Sequence, residues 1–414
     1  MNVAAIFASD PLLSGDIGLA EVLIVLLKTL VAFGLLLTSV IFMIWFERKL
    51  ISDFQNRVGP NKAGPWGLLQ TLADGLKLIM KEDLIPDKAD RRVFILAPFL
   101  SAVPAFVTFA VVPIGGGFDG DRFGAISLFG HDTLVQLADP PVGVLLILAM
   151  SSIAIYGVML AGWASGSKWP LLGAVRGTAQ MVSYEAALGL SIVAVVLLSG
   201  SLSTHDIVAS QAGSGYELFG SFGIPHWNVI ATGVVPFVIF LIAGTAELNR
   251  PPFDLVEAEQ ELVGGFHTEY SSFRFALFYL AEFMNTITMS AIIVTLFFGG
   301  PAGPAWFGPG WLSGLIWFSL KLFVFLFVFV WIRSTLPRFR YDQLMNIGWK
   351  ALIPLSLGWL LLLAAINVGR DEDWNMGVVV GVSLLALVVA WGGITAAVDV
   401  AHRRRASEQE EALI

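Results

Sequence analysis

With 414 residues, 56% of them hydrophobic and only 14% charged, and a mean hydropathy of +0.78, the chain is too apolar for a soluble globular domain, so lipid is its expected solvent. It contains no cysteine, which excludes disulfides, thiolate-held iron-sulfur clusters and cysteine-based zinc sites, and no metal-binding set is expected in it. The formal net charge of −8 and the absence of a Lys/Arg stripe set nucleic acid aside as a partner.

The N-terminus carries Asp10, Asp16 and Glu21 and lacks the basic region and small-residue cleavage site of a secretory signal, so the first helix is expected to stay. Apolar runs long enough to cross a hydrocarbon core of about 30 Å fall at 20–46, 94–114, 141–162, 181–199, 229–246, 275–299, 312–332, 351–368 and 377–399. They lack the period-two alternation of barrel strands, so the fold class is an all-α polytopic membrane protein of about nine helices. One transmembrane domain is expected over 1–399, with a charged tail at 400–414. Loops 47–93, 163–180, 247–274 and 333–350 together with the tail hold 20 of the 24 Lys/Arg residues. The positive-inside rule then puts the N-terminus outside and the C-terminus in the cytoplasm. The outer connectors at 200–228 and 300–311 are Gly/Ser/Pro-containing and suggest no chemistry.

In the first inner loop, Gly59-Pro60 and Gly64-Pro65 force turns. A helix is expected to start near Trp66. Leu68, Leu69, Leu72, Leu76, Ile79 and Met80 recur at helical spacing while Gln70, Asp74, Lys77 and Lys81 interrupt the face, so the helix is amphipathic and lies at the membrane surface. It suits either a surface anchor or the mouth of a cavity.

In the third inner loop Glu247, Asp254, Glu257, Glu259, Glu261 and Glu269 accompany Arg250 and Arg274. A charge run is usually a solvated face, yet Phe253, Leu255, Val256, Leu262, Val263 and Phe266 interrupt this one. In a helix Glu257 and Glu261 share a face and Glu259 points away; in an extended chain all three share one face. Pro251 and Pro252 end any regular helix at Arg250. Acids packed within a few ångströms are expected to hold some protons near neutral pH, while Arg250, three residues after Glu247, is expected to keep that one ionised.

Ionisable residues also fall inside apolar runs: Lys28, Glu185, Glu282 and Lys321. Such groups normally face a bundle interior or a wet path, and desolvated carboxyls suit a proton relay. Lys28, near the outer end of its helix, also fits snorkelling. The last inner loop sets Arg333, Arg338 and Arg340 beside Asp342. The positive-inside bias explains these arginines, and a counter-charge to the acidic loop does so equally.

Three motifs, ERKL followed by NRVGPNKAGPWGLLQTLADGLKL, AELNRPPFDLVEAEQELVGGFHTEYS, and WIRSTLPRFRYDQLM, resemble NuoH, the quinone-site membrane subunit of proton-pumping NADH:quinone oxidoreductase, respiratory complex I. With GWASGSKWPLLGAVRGTAQMVSYE between them, the similarity runs from about Glu47 to about Leu357. The resemblance implies a multi-pass subunit of the bacterial plasma membrane that carries no redox centre. It forms a chamber for ubiquinone or menaquinone with peripheral-arm subunits, and iron-sulfur clusters and flavin reside in those partners. Small membrane subunits and antiporter-like subunits are its implied membrane neighbours. By motif position Arg48, Arg57, Asp74, Arg250 and Phe253 line or border the chamber. Glu247, Glu257, Glu259 and Glu261 form an acidic funnel, which Glu185, Glu282 and Arg333 continue into the membrane.

Two features depart from the family pattern. A ninth helix at 377–399 is additional, and the third helix has no carboxylate, so a relay through it needs Tyr156, water or a neighbouring subunit. A stand-alone cation transporter and the membrane anchor of a proton-translocating hydrogenase are the competing readings. Co-purifying flavin and iron-sulfur proteins separate the first from a transporter, and a nickel-iron hydrogenase in their place would favour the anchor.

Overall fold

The computed structural model describes residues 10–13, 18–118, 124–212, 216–219, 222–224, 226–257, 259–304, 309–375, 377–383 and short runs up to 400. The helices in chain order are α1 (Leu19–Phe54), α2 (Gln70–Met80), α3 (Arg91–Ala110), α4 (Gly143–Ala164), α5 (Lys168–Ser199), α6 (Thr204–Gln211), α7 (Asn228–Ala231), α8 (Val234–Glu247), α9 (Glu259–Leu262), α10 (Ser272–Phe297), α11 (Gly310–Thr335), α12 (Tyr341–Asn346) and α13 (Ile353–Asp371). A π-helical stretch, Ile347–Leu352, joins α12 to α13. Two small antiparallel hairpins, Ala125–Leu128 with His131–Leu134 and Tyr216–Phe219 with Phe222–Ile224, are the strands among the described residues.

Seven helical segments among the described residues are long and apolar enough to cross a membrane: α1, α3, α4, α5, α10, α11 and the run Tyr341–Asp371. The shorter apolar helix α8 makes an eighth hydrophobic segment. Of the ninth expected span, residues 377–383 are helical, and much of the remainder lies outside the described residues. The tail from 401 lies outside them as well.

Hydropathy locates the helices but not all of their ends. α1 continues past its apolar run through Glu47 and Arg48 to Phe54, and α5 begins at Lys168 rather than near 181. Backbone hydrogen bonding propagates through charged residues as readily as through apolar ones when partners wait for the charges. α2 starts at Gln70 instead of Trp66, because Trp66 (φ 52°) and Gly67 (φ 78°) occupy left-handed backbone.

At the centre stands α10, buried along nearly its whole length from Phe283 to Phe297. Three of its buried hydroxyls are satisfied there because Thr286, Ser290 and Thr295 donate to the carbonyls of Glu282, Thr286 and Ala291, one turn back. A continuous core of Leu36, Met43, Tyr184, Phe240 and Phe329 surrounds it, drawn from α1, α5, α8 and α11. α1, by contrast, leaves Leu19, Leu30 and Val31 exposed, a face suited to lipid or a membrane neighbour.

The two other intramembrane charges are structural. Lys28 turns inward to Asp10 at 2.7 Å and Thr133 at 2.9 Å, so it does not snorkel. Lys321 donates to the carbonyls of Phe298, Gly300 and Ala302 at 2.8, 2.9 and 2.7 Å, closing the loop that follows α10.

Candidate functional site

The site begins where α8 stops. Leu248 N–H closes the last turn on the Gly244 carbonyl, Asn249 adopts φ 54°, and prolines at 251 and 252 prevent continuation. Arg250 is thereby turned back into the bundle, where it is 2% exposed. Its Nη1 donates to Glu47 Oε2 at 2.6 Å and its Nε to Glu282 Oε1 at 3.1 Å. Its guanidinium lies 4.5 Å from the centroid of Phe283. Arg333 Nη1 donates to the other Glu47 oxygen. Two arginines and two carboxylates from α1, the α8–α9 loop, α10 and α11 therefore form one network, buried at Arg250 and Glu47 and balanced in formal charge.

This overturns the expectation that Arg250 holds Glu247. The turn after Leu248 carries the two side chains apart, and Glu247 Oε1 instead accepts from Ser151 on α4. The Glu247 Oε2 atom is buried without a hydrogen-bond partner. Glu185, on α5, accepts from Ser152, the next residue of α4.

Two further acids of the loop, Glu257 and Glu261, each meet a basic side chain. Glu257 meets His267 at 3.3 Å, while Glu261 takes Arg176 at 2.8 Å and Arg338 at 3.4 Å. The hydrogen bond from Arg176 holds the Glu261 carboxyl below the usual carboxylate range against some desolvation, with the Arg338 charge assisting. Mutual repulsion therefore does not set this group, because cations separate it from its neighbours. Glu259 opens α9, and its side chain lies outside the described residues. Glu257 precedes α9 (Glu259–Leu262) and is not helical, so Glu257 and Glu261 do not share a helix.

Gly265 fixes the path of this loop. Its φ is +60°, and an added Cβ would sit 1.8 Å from the Val256 carbonyl oxygen. It also lies against Gly173 of α5, where a Cβ would meet the Gly265 Cα at 2.9 Å. Gln180 completes the anchoring by donating to the carbonyls of Ala246 and Phe253 at 2.7 and 2.8 Å.

On the other side, α2 is tied to α1 by Arg48 and Asp74 at 2.5 Å, and to the start of α10 by Ser272 Oγ donating to the Leu78 carbonyl at 3.0 Å. Partial burial works to raise the Asp74 carboxyl, but hydrogen bonds from Arg48 and Gln70 outweigh it and leave the group below its ordinary value. Between α2, α1 and α10 lies a cavity of about 1050 Å³. Leu72, Asp74, Arg48, Asp254, Glu257 and Arg333 are on its wall. A smaller cavity of about 120 Å³ reaches into the bundle past Glu247, Glu282, Ser151 and Ser101. Glu257, His267, Phe275 and Tyr279 line both, so these four side chains form the partition.

Of the expected chamber residues, Arg48 and Asp74 are on the larger cavity's wall. Arg250 stands behind it in the ion network. Arg57 is exposed beyond α1, and Phe253 is buried with ring contacts to Tyr184 and Phe339 at 5.5 Å each; neither lines either cavity. Sequence patterns do not single out Glu47, Ser151, Ser152, His267 or Gln180. Glu47 does carry a signal, an acid inside a helix that outlasts its apolar run, whereas the serines carry none. Tyr156, the side chain that sequence offers as a relay on α4, is 60% exposed.

Fold and site together define an all-α polytopic membrane protein whose bundle encloses a charged network beside a large lateral cavity. A family model described as NADH dehydrogenase matches residues 27–364. The chain is 49% identical over 400 residues to the H subunit of NADH-quinone oxidoreductase from Frankia casuarinae, covering 94% of this chain and 83% of that relative. It is 50% identical over 414 residues to the H subunit from Frankia alni (97% and 85% covered), and 46% identical over 376 residues to that from Streptomyces avermitilis (88% and 79%). The chain belongs to the family of NADH-quinone oxidoreductase H subunits.

Proposed function

We propose that this chain forms the membrane wall of the quinone chamber of a proton-translocating NADH:quinone oxidoreductase and passes the charge change of quinone reduction to buried carboxylates. The observation that carries the reading is the partition of Glu257, His267, Phe275 and Tyr279, shared by a cavity large enough for an organic ligand and a smaller one bordered by Glu247 and Glu282. Arg48 and Asp74 mark the mouth under α2, whose Leu72, Leu76 and Ile79 give it an apolar lining. A negative charge arising on the quinone raises the proton affinity of carboxyls behind the partition, and its loss lowers it again. The electrons come from iron-sulfur clusters of peripheral-arm subunits, fed by flavin in the same arm. The chain sits in the bacterial plasma membrane with its N-terminus outside, beside small and antiporter-like membrane subunits.

Leu72→Trp tests the chamber, since Leu72 is on the wall of the larger cavity and an indole there fills its mouth. Quinone reduction by the assembled complex should fall while electron transfer from NADH to a soluble artificial acceptor is unchanged. Undiminished quinone reduction would remove the chamber from this place.

A further inference from the structure

The third membrane helix, α4, carries no acidic residue, yet it stands between two carboxylates that the bundle otherwise holds apart. Glu247 ends α8 and Glu185 lies midway along α5, close enough for their charges to interact. On α4 the successive residues Ser151 and Ser152 divide them: Ser151 Oγ donates to Glu247 Oε1 and Ser152 Oγ to Glu185 Oε1. We propose that this serine pair carries the proton hand-off between Glu247 and Glu185, supplying on α4 the amphoteric groups that a carboxylate would otherwise provide. The inference rests on the coupling role given to Glu247 above.

A hydroxyl is both donor and acceptor, so each serine can serve its carboxyl in either protonation state. Protonated Glu247 gives its proton to Ser151 Oγ as Ser151 passes its own to a water in the smaller cavity that it lines, that water passes a proton to Ser152 Oγ, and Ser152 releases its hydroxyl proton to the Glu185 carboxylate. One O–H bond forms at Glu185 for the one lost at Glu247, and both serines end as they began. Ser152 has a second acceptor for its resting state, the Leu148 carbonyl at 3.0 Å. Its single hydrogen can point there while its lone pair accepts from protonated Glu185, which is the reorientation a relay requires. At the other end the unpartnered Glu247 Oε2 lies at the wall of the smaller cavity, where the Ser101 and Thr288 hydroxyls are also buried without partners. Three polar atoms of this kind around about 120 Å³ give a few water molecules enough partners to feed Glu247.

The test compares Ser151→Ala/Ser152→Ala, Ser151→Thr/Ser152→Thr and Glu247→Gln in the assembled complex in vesicles. Quinone reduction, proton uptake, the pH profile and the solvent deuterium isotope effect are read with a short-chain quinone. The alanine pair should lose on the order of tenfold in turnover, with proton uptake falling in step, a larger isotope effect and unchanged NADH oxidation by an artificial acceptor. The threonine pair, which keeps both hydroxyls, should recover most of the rate. Wild-type turnover, pH profile and isotope effect in the alanine pair, beside an impaired Glu247→Gln, would overturn the relay and leave the coupling role of Glu247 standing. Full coupled activity in Glu247→Gln would overturn both. Should the alanine pair fail to assemble, Ser151→Cys/Ser152→Cys, with its weak S–H donors, decides: slowed turnover with a raised isotope effect supports the relay, and wild-type values exclude it.

Discussion

Replacing Arg250 by methionine removes the one side chain that touches both Glu47 and Glu282. The stem of Arg250 is fully enclosed and its partner Glu47 has a side chain only 4% exposed. Methionine fills much of the volume, so the chief loss is electrostatic. Glu47 keeps Arg333, while the Glu282 carboxylate loses its ion-pair and hydrogen-bond partner. Taking one partner from a buried pair costs about 3–5 kcal/mol, because the remaining charge stays desolvated. The cation–π contact with Phe283 is lost as well, worth about 0.5–2 kcal/mol in such settings. The assay is the thermal half-life of quinone-reductase activity in the purified complex, with subunit content measured in parallel. The half-life should shorten markedly, and Glu282→Gln in the same background should restore part of it by neutralising the orphaned acid. A half-life equal to wild type for Arg250→Met alone would refute the reasoning that this network holds α1, α10 and the loop after α8 together.

Gly265→Ala should prevent the acidic loop from seating on α5, since the new Cβ meets the Val256 carbonyl oxygen in a left-handed backbone; proteolysis of the 247–274 loop in the assembled complex should rise. Lys321→Met should leave the carbonyls of Phe298, Gly300 and Ala302 without their shared donor, at about 1–3 kcal/mol for each that water does not reach, and lower thermal stability with turnover per assembled complex preserved. The Arg48–Asp74 contact is partly exposed and worth no more than about 1 kcal/mol. Because Asp74 lies below its ordinary value, its contribution is fully present above about pH 4 and is lost as pH falls through the lowered value. Cross-linking of α2 to α1 should therefore weaken only at acid pH, and Asp74→Asn should remove that dependence.

Hydropathy reveals the spans because lipid imposes length and apolarity on every crossing helix. It misses the C-terminal end of α1 and the start of α5, where charged residues continue the helix toward partners elsewhere in the chain. Arg250 shows the limit most clearly. Local spacing suggests Glu247, but a backbone turn gives it Glu47, 203 residues away, a pairing no local pattern encodes. The acidic loop is legible as unusual, whereas the pairing of Glu261 with Arg176 and Arg338 depends on two other segments. Ser151 and Ser152 are silent because hydroxyls in membrane helices usually bond their own backbone, as Ser290 does. Gly265 can be placed in a turn by its Gly264 neighbour, but not against Gly173.

The proposed coupling requires that carboxylates behind the partition share a step with quinone reduction. Proton uptake and quinone turnover measured together in vesicles containing the Glu247→Gln complex test it most directly, with Glu269→Gln as the comparison. Glu247→Gln is expected to assemble and to depress both rates in the same proportion, while Glu269→Gln stays near wild type. Full turnover with full proton uptake in Glu247→Gln would contradict the coupling.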